Sequence, residues 1–123
     1  MKLAIWIGLC GAIGAITRFY CTKWAGTVNG FPIGTLTVNM AGSLLLGILL
    51  GWSLNTPSLP EQWRIPIATG FLGSLTTFST FAVESITLME GGQWKSAVIY
   101  LLSHLLMGLL LASCGLWIGR RYL

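Results

Sequence analysis

Four stretches of the chain, 3–17, 24–60, 65–83 and 96–119, run without a single Asp, Glu, Lys or Arg and are dominated by Leu, Ile, Val, Ala and aromatic residues. A helix needs about 20 apolar residues to cross a bilayer. The second stretch is too long for one crossing, and Gly30, Pro32 and Gly34 mark its first third as a loop. The pattern therefore predicts an all-α membrane protein of four transmembrane helices, near 3–20, 34–54, 62–89 and 94–117. Asn29-Gly30, Thr56-Pro57 with Leu59-Pro60, and Gly91-Gly92 supply the turns. Arg18 falls inside the first helix, where its long stem can snorkel to the interface. Residues 1–123 read as one four-helix domain, with nothing left over for a soluble module.

Polar positions inside these spans are few and patterned. On the first helix Ala4, Gly8, Gly11, Ala12 and Ala15 recur every third or fourth residue, a smooth face that lets another backbone come close. On the second, Thr35, Asn39 and Ser43 share one face over two turns. The Asn39 amide is open to two readings, interhelical glue or a donor aimed at a passing anion. The third span carries Gly-Phe-Leu-Gly-Ser-Leu-Thr-Thr-Phe-Ser-Thr-Phe at 70–81. Glycine weakens a helix and hydroxyls offer its backbone other partners, so this helix is expected to break near the bilayer midplane. Such a break survives only where protein or a wet cavity covers it, and it would aim carbonyls at a cation and amides at an anion.

Phe78 and Phe81 lie three residues apart, with Glu84 three further on. Phenylalanines at that spacing are ordinary packing residues when taken alone. Glu84 is the one acid well inside a predicted span; it is either a functional carboxylate or a partner for Arg18. On the fourth helix Tyr100, Ser103 and His104 continue a polar stripe, and the single histidine is a candidate proton carrier or a hydrogen-bonded donor. Ser103 beside His104 is no catalytic pair, since helix neighbours diverge by about 100 degrees. With no supporting acid, metal cluster or phosphate loop, no enzyme is predicted.

Composition agrees with the hydropathy pattern: of 123 residues 54% are hydrophobic and 8% charged, too few polar groups to coat a soluble globule. Lys2 ahead of an apolar run invites a signal-peptide reading, but the small residues of 8–15 and the lack of a secreted-type domain downstream argue against cleavage. Cys10, Cys21 and Cys114 have no metal spacing and are expected to pack as small apolar residues without a disulfide. The basic residues are spread over loop ends and imply no nucleic-acid partner.

Charge changes the picture in one respect. With four crossings, Lys2, Arg64, Arg120 and Arg121 fall on one side and Arg18, Lys23 and Lys95 on the other. Lys/Arg bias orients membrane proteins, so either the first helix decides or the chain inserts both ways. The second reading gives an antiparallel, dual-topology homodimer with its axis in the membrane plane, a separate-chain version of an inverted repeat.

Gly34-Thr-Leu-Thr-Val-Asn39 followed by Gly42-Ser43, together with the 70–81 segment and Glu84, closely resembles the Fluc (CrcB) fluoride channels, and the match runs through all four helices in order. The resemblance implies an antiparallel dual-topology homodimer whose two pores export fluoride passively across the cytoplasmic membrane of a microbe. It assigns Asn39 to the pore, Phe78 and Phe81 to the ring edges lining the anion path, Ser79 and Thr80 to the hydroxyl track, and Glu84 to the vestibule. Tyr100 and His104 take positions of the fourth-helix polar track, while Gly108 and Ala112 stand where members carry hydroxyls. It further implies a structural Na+ at the dimer centre, held by the backbone carbonyls of Gly73 and Thr76. The rival reading is a small proton-coupled multidrug antiporter, also a four-helix antiparallel dimer; those proteins use a glutamate in the first helix, and here that helix has none.

Overall fold

A computed structural model describes residues 1–55 and 60–123; the turn expected at Thr56-Pro57 and Leu59 lies outside the described residues. The described chain holds four helical spans long and apolar enough to cross a membrane, Lys2–Ala25, Ile33–Leu54, Glu61–Glu90 and Trp94–Tyr122. The protein is a multi-pass, all-helical membrane protein.

The first span is a single helix, α1 (Lys2–Ala25), and the second is α2 (Ile33–Asn55). α1 runs five residues beyond its sequence-derived end, because nothing breaks it before Gly26, which leaves the helix at φ 60°. The connection to α2 is a two-residue turn: Asn29 and Gly30 have φ of 52° and 82°, and Val28 and Phe31 exchange both backbone bonds at 3.0 and 2.9 Å. Positive φ at both central positions is what such a turn demands, and Asn-Gly is the sequence pair that supplies it.

The third span begins with α3 (Glu61–Ile65), passes through a π-helical stretch (Pro66–Leu72), and resumes as α4 (Gly73–Leu75). Thr76 and Thr77 are then extended, with ψ of 154° and 114°, before α5 (Phe78–Glu90) starts. Thr77 caps α5, its side-chain oxygen accepting the Thr80 amide at 3.2 Å. The glycines of the 70–81 segment stay within helical turns. Gly70 is required by packing: a Cβ there would lie 2.7 Å from the Ile7 carbonyl and 2.9 Å from Cys10 Cβ. Gly14 of α1 answers it, with the Phe71 carbonyl in the place of its missing Cβ. Gly8 has nothing within 4 Å, so the small-residue face of α1 divides, the Gly11 side seating the third span and the Gly8 side facing outward.

The fourth span consists of α6 (Trp94–Leu102), a π-helical turn (Ser103–Met107) and α7 (Gly108–Tyr122). α7 lies along α2 with backbone against backbone at Gly47, Gly51, Gly115 and Gly119, the close approach that membrane helices achieve with small residues. A core of Leu36, Met40, Leu88, Ala97 and Tyr100 forms where α2, α5 and α6 meet, and Leu49, Leu72 and Leu75 form a second under the third span. The outward faces carry Leu9, Ile13, Ile16, Leu105 and Leu109, as lipid contact requires.

Candidate functional site

The Thr35–Asn39–Ser43 face of α2 points at the extended pair on the third span. Asn39 is buried, 8% exposed, and grips a single residue: its Oδ1 accepts the Thr77 amide at 2.8 Å and its Nδ2 donates to the Thr77 carbonyl at 3.1 Å. In an uninterrupted helix that amide would serve the carbonyl of Gly73. Asn39 therefore takes over a backbone bond that the extended geometry gives up, and a polar group that would be costly at this depth is satisfied. Ser43 bonds back to the Asn39 carbonyl at 2.8 Å, leaving the amide as the active member of the stripe.

The fourth span closes on the same point. His104, on the π-helical turn, has Nε2 3.2 Å from Asn39 Nδ2 and Nδ1 3.1 Å from the Tyr100 carbonyl. Its ring lies 4.2 Å from that of Phe81 at 31°, and 4.4 Å from Tyr100 at 77°. Phe81 also meets Tyr100 and Phe78, both at 5.6 Å. Phe78 itself is 79% exposed; its i+3 spacing does not make it a packing residue within the chain.

Glu84 lies one turn beyond Phe81. Thr35 donates to its Oε1 at 2.9 Å and the fully buried Tyr100 hydroxyl to its Oε2 at 2.6 Å. Short bonds to a carboxylate are the strong kind. Arg18, weighed above as its partner, lines the same cavity, while the hydrogen bonds come from the two hydroxyls. Tyr100→Phe removes one bond to a charged acceptor and is expected to lower stability by about 2 kcal/mol, read as a drop in the melting temperature of the detergent-solubilised protein, with the fold retained.

Two cavities flank this cluster. The larger, about 550 Å³, is lined by Asn39, Ser43, Thr76, Phe78, Phe81 and His104 among others. The smaller, about 250 Å³, is lined by Arg18, Thr22, Thr35, Thr80 and Glu84. Thr77 lines both, and its hydroxyl joins Thr80 at 2.9 Å and Ser79 at 3.3 Å. Asn39, Phe81, Thr80, Glu84, Tyr100 and His104 thus form one connected group. Phe78, Ser79 and Gly73 remain open to the surface of the single chain. Spacing places Thr35 on the polar face with Asn39 but assigns it no role, and it does not single out Thr77, whose signal is the Thr76-Thr77 pair before the phenylalanines.

Carbonyls at Gly73 and Thr76 were expected to hold a cation. The Thr77 amide that would occupy the Gly73 oxygen is bonded to Asn39 instead, and Thr76 turns its peptide out of the helix. Neutral hard oxygens of this kind suit an alkali ion. Among the described residues, no group of three or more His, Cys, Asp or Glu side chains could hold a metal.

Comparison with known proteins places this arrangement in a family. Residues 5–116 match the model described as "CrcB-like protein, Camphor Resistance (CrcB)". The chain is 39% identical to the fluoride-specific ion channel FluC of Geobacter metallireducens over 98% of both proteins, and 42% identical to that of Nitratidesulfovibrio vulgaris, again over 98% of both. The protein of the same name from Cupriavidus pinatubonensis is 41% identical over 93% of this chain and 91% of its own. With four apolar spans, an Asn39-gripped extended segment and near full-length likeness to these relatives, the chain belongs to the CrcB-like family.

Proposed function

We propose that this chain is a fluoride-selective passive anion channel of the cytoplasmic membrane, working as an antiparallel dual-topology homodimer with two pores at the interface and a third span broken near the bilayer midplane. The observation that carries the reading is the pair of cavities meeting at Thr77, flanked by neutral hydroxyls and aromatic edges, in a chain whose relatives are named as fluoride channels. The larger cavity is lined in part by the exposed Phe78 and Leu105, and polar groups within a membrane span need protein cover. A second copy, inserted oppositely, is the partner that the near balance of basic residues supports.

Fluoride is small and strongly hydrated. To pass, it must exchange water for donors that are numerous and individually weak, because a site of fixed positive charge would bind it and not release it. The Thr77, Ser79 and Thr80 hydroxyls form a short ladder of this kind. Phe78 and Phe81 add ring edges, the positive part of the aromatic quadrupole. Both Asn39 Nδ2 hydrogens are engaged, so this amide reaches an ion by exchanging a bond to Thr77 or His104. Thr35, which donates to Glu84 and lines the smaller cavity, can turn its hydroxyl from the carboxylate toward an ion there. A sodium ion held by the Gly73 and Thr76 carbonyls of both copies would supply positive charge at the dimer centre and fix the two chains together.

Proton-coupled export of cationic drugs is the weaker reading, since α1 offers no glutamate for it. Liposomes carrying the purified protein and loaded with potassium fluoride or potassium chloride decide the matter. Rapid loss of fluoride with chloride retained is the expected result. Equal loss of both ions, or retention of both by protein shown to be a folded dimer, overturns it.

A further inference from the structure

The hydrogen bonds around Asn39 determine the state of the only histidine in the chain. Asparagine oxygen and nitrogen cannot be told apart by shape, but the Thr77 peptide distinguishes them. Its N–H, 2.8 Å away, needs an acceptor, and its carbonyl, 3.1 Å away, needs a donor. Oδ1 must face the amide and Nδ2 the carbonyl. The second Nδ2 hydrogen is then left for His104 Nε2 at 3.2 Å, which must present a lone pair. On the other side of the ring, Nδ1 faces the Tyr100 carbonyl at 3.1 Å, which can only accept, so Nδ1 carries the proton. All four contacts are satisfied by one state of the imidazole, neutral with hydrogen on Nδ1. The other neutral tautomer sets lone pair against carbonyl at Nδ1 and hydrogen against hydrogen at Nε2, and the imidazolium keeps the second of these clashes.

We propose that His104 is a positioning residue for the ion path: as the neutral Nδ1–H tautomer it holds the Asn39 amide in the one orientation that clamps Thr77 in extended geometry between the two cavities. Its ring is fixed for the task by the Phe81 face at 4.2 Å and by Tyr100, itself anchored on Glu84. The π-helical turn of Ser103–Met107 carries the residue, and such turns recur where a helix must re-aim a functional side chain. The role rests on the channel reading for its consequence in transport, but not for the state of the ring.

Nitrogen-15 NMR of histidine-labelled protein in lipid nanodiscs at neutral pH reads that state directly, from a single site. The Nδ1–H tautomer is expected; the Nε2–H tautomer or an imidazolium overturns the proposal. Transport supplies the second test. His104→Gln keeps an acceptor for Asn39 and is expected to remain within about threefold of the parent, whereas His104→Leu loses it and slows fluoride efflux about tenfold or more. Asn39→Ala combined with His104→Leu should be no slower than Asn39→Ala alone, since the histidine acts through the amide. If glutamine rescues nothing, if leucine matches the parent, or if the double variant is additive, His104 does not act through Asn39. A parent protein that passes no fluoride yet shows the Nδ1–H ring would instead sink the channel reading and leave the positioning role standing.

Discussion

Gly115→Ala is expected to separate α2 from α7 and destabilise the protein by about 3 kcal/mol, the upper end of what overpacking costs in a well-packed core. The Cβ of alanine would land on the Leu44 carbonyl oxygen, with the Ile48 amide nitrogen 2.9 Å and the Gly47 carbonyl carbon 3.1 Å away. Every one of these atoms is backbone, so no side chain can rotate aside. The opposing glycine is in the same position: a Cβ on Gly47 would sit 2.5 Å from the Ala112 carbonyl and 3.0 Å from the Leu116 amide. Relief requires the helices to move apart along the whole seam, which would also strip the dispersion contacts that hold membrane helices together. Gly8→Ala is the control. Nothing lies within 4 Å of that position, and a methyl group there adds helix propensity at no steric cost. Melting of the two variants in detergent should differ widely; a Gly115→Ala protein that melts like the parent would mean that the α2–α7 seam is looser than its backbone contacts imply.

That seam was not read from the sequence, where the small-residue face was sought on the first helix rather than at Gly47, Gly51, Gly115 and Gly119. Apolar runs and Gly/Pro punctuation located all four spans, and Asn29-Gly30 marked the first turn because its backbone needs positive φ at both residues. Helix ends were harder: α7 continues through Arg120 and Arg121 to Tyr122, where cations at a C-terminus are favoured and nothing stops the helix. The stripe of Thr35, Asn39 and Ser43 was visible from spacing alone, and so was Glu84 as an ionisable group in a span. What spacing could not reveal was the partner of each. Whether Asn39 faces an ion, another helix or a peptide group depends on where Thr77 lies, thirty-eight residues away. The π-helical turns at Pro66–Leu72 and Ser103–Met107 have no period of their own in the sequence, yet one of them carries His104.

Phe81→Ile is expected to slow fluoride efflux about tenfold or more while the protein still assembles. The loss corresponds to about 1.4 kcal/mol, the scale of one aromatic edge interaction. Phe81 is the point where the site's rings converge, touching His104, Tyr100 and Phe78, and it lines the larger cavity beside Asn39. Isoleucine is apolar and fills much of the same space, so burial changes little. The ring quadrupole goes, and with it the positive edge that neither a methyl nor a methylene can imitate. Phe31→Ile separates this effect from a general loosening of the aromatic cluster. Phe31 also packs edge-on against Tyr100, at 5.3 Å and 86°, but lines neither cavity, so its replacement should soften the protein and leave efflux near the parent rate. Efflux traces from liposomes, taken beside cross-linking that tests for the proposed dimer, give the comparison. Unchanged efflux from assembled Phe81→Ile protein would remove ring edges from the path and leave the Thr77, Ser79 and Thr80 hydroxyls to carry the ion alone.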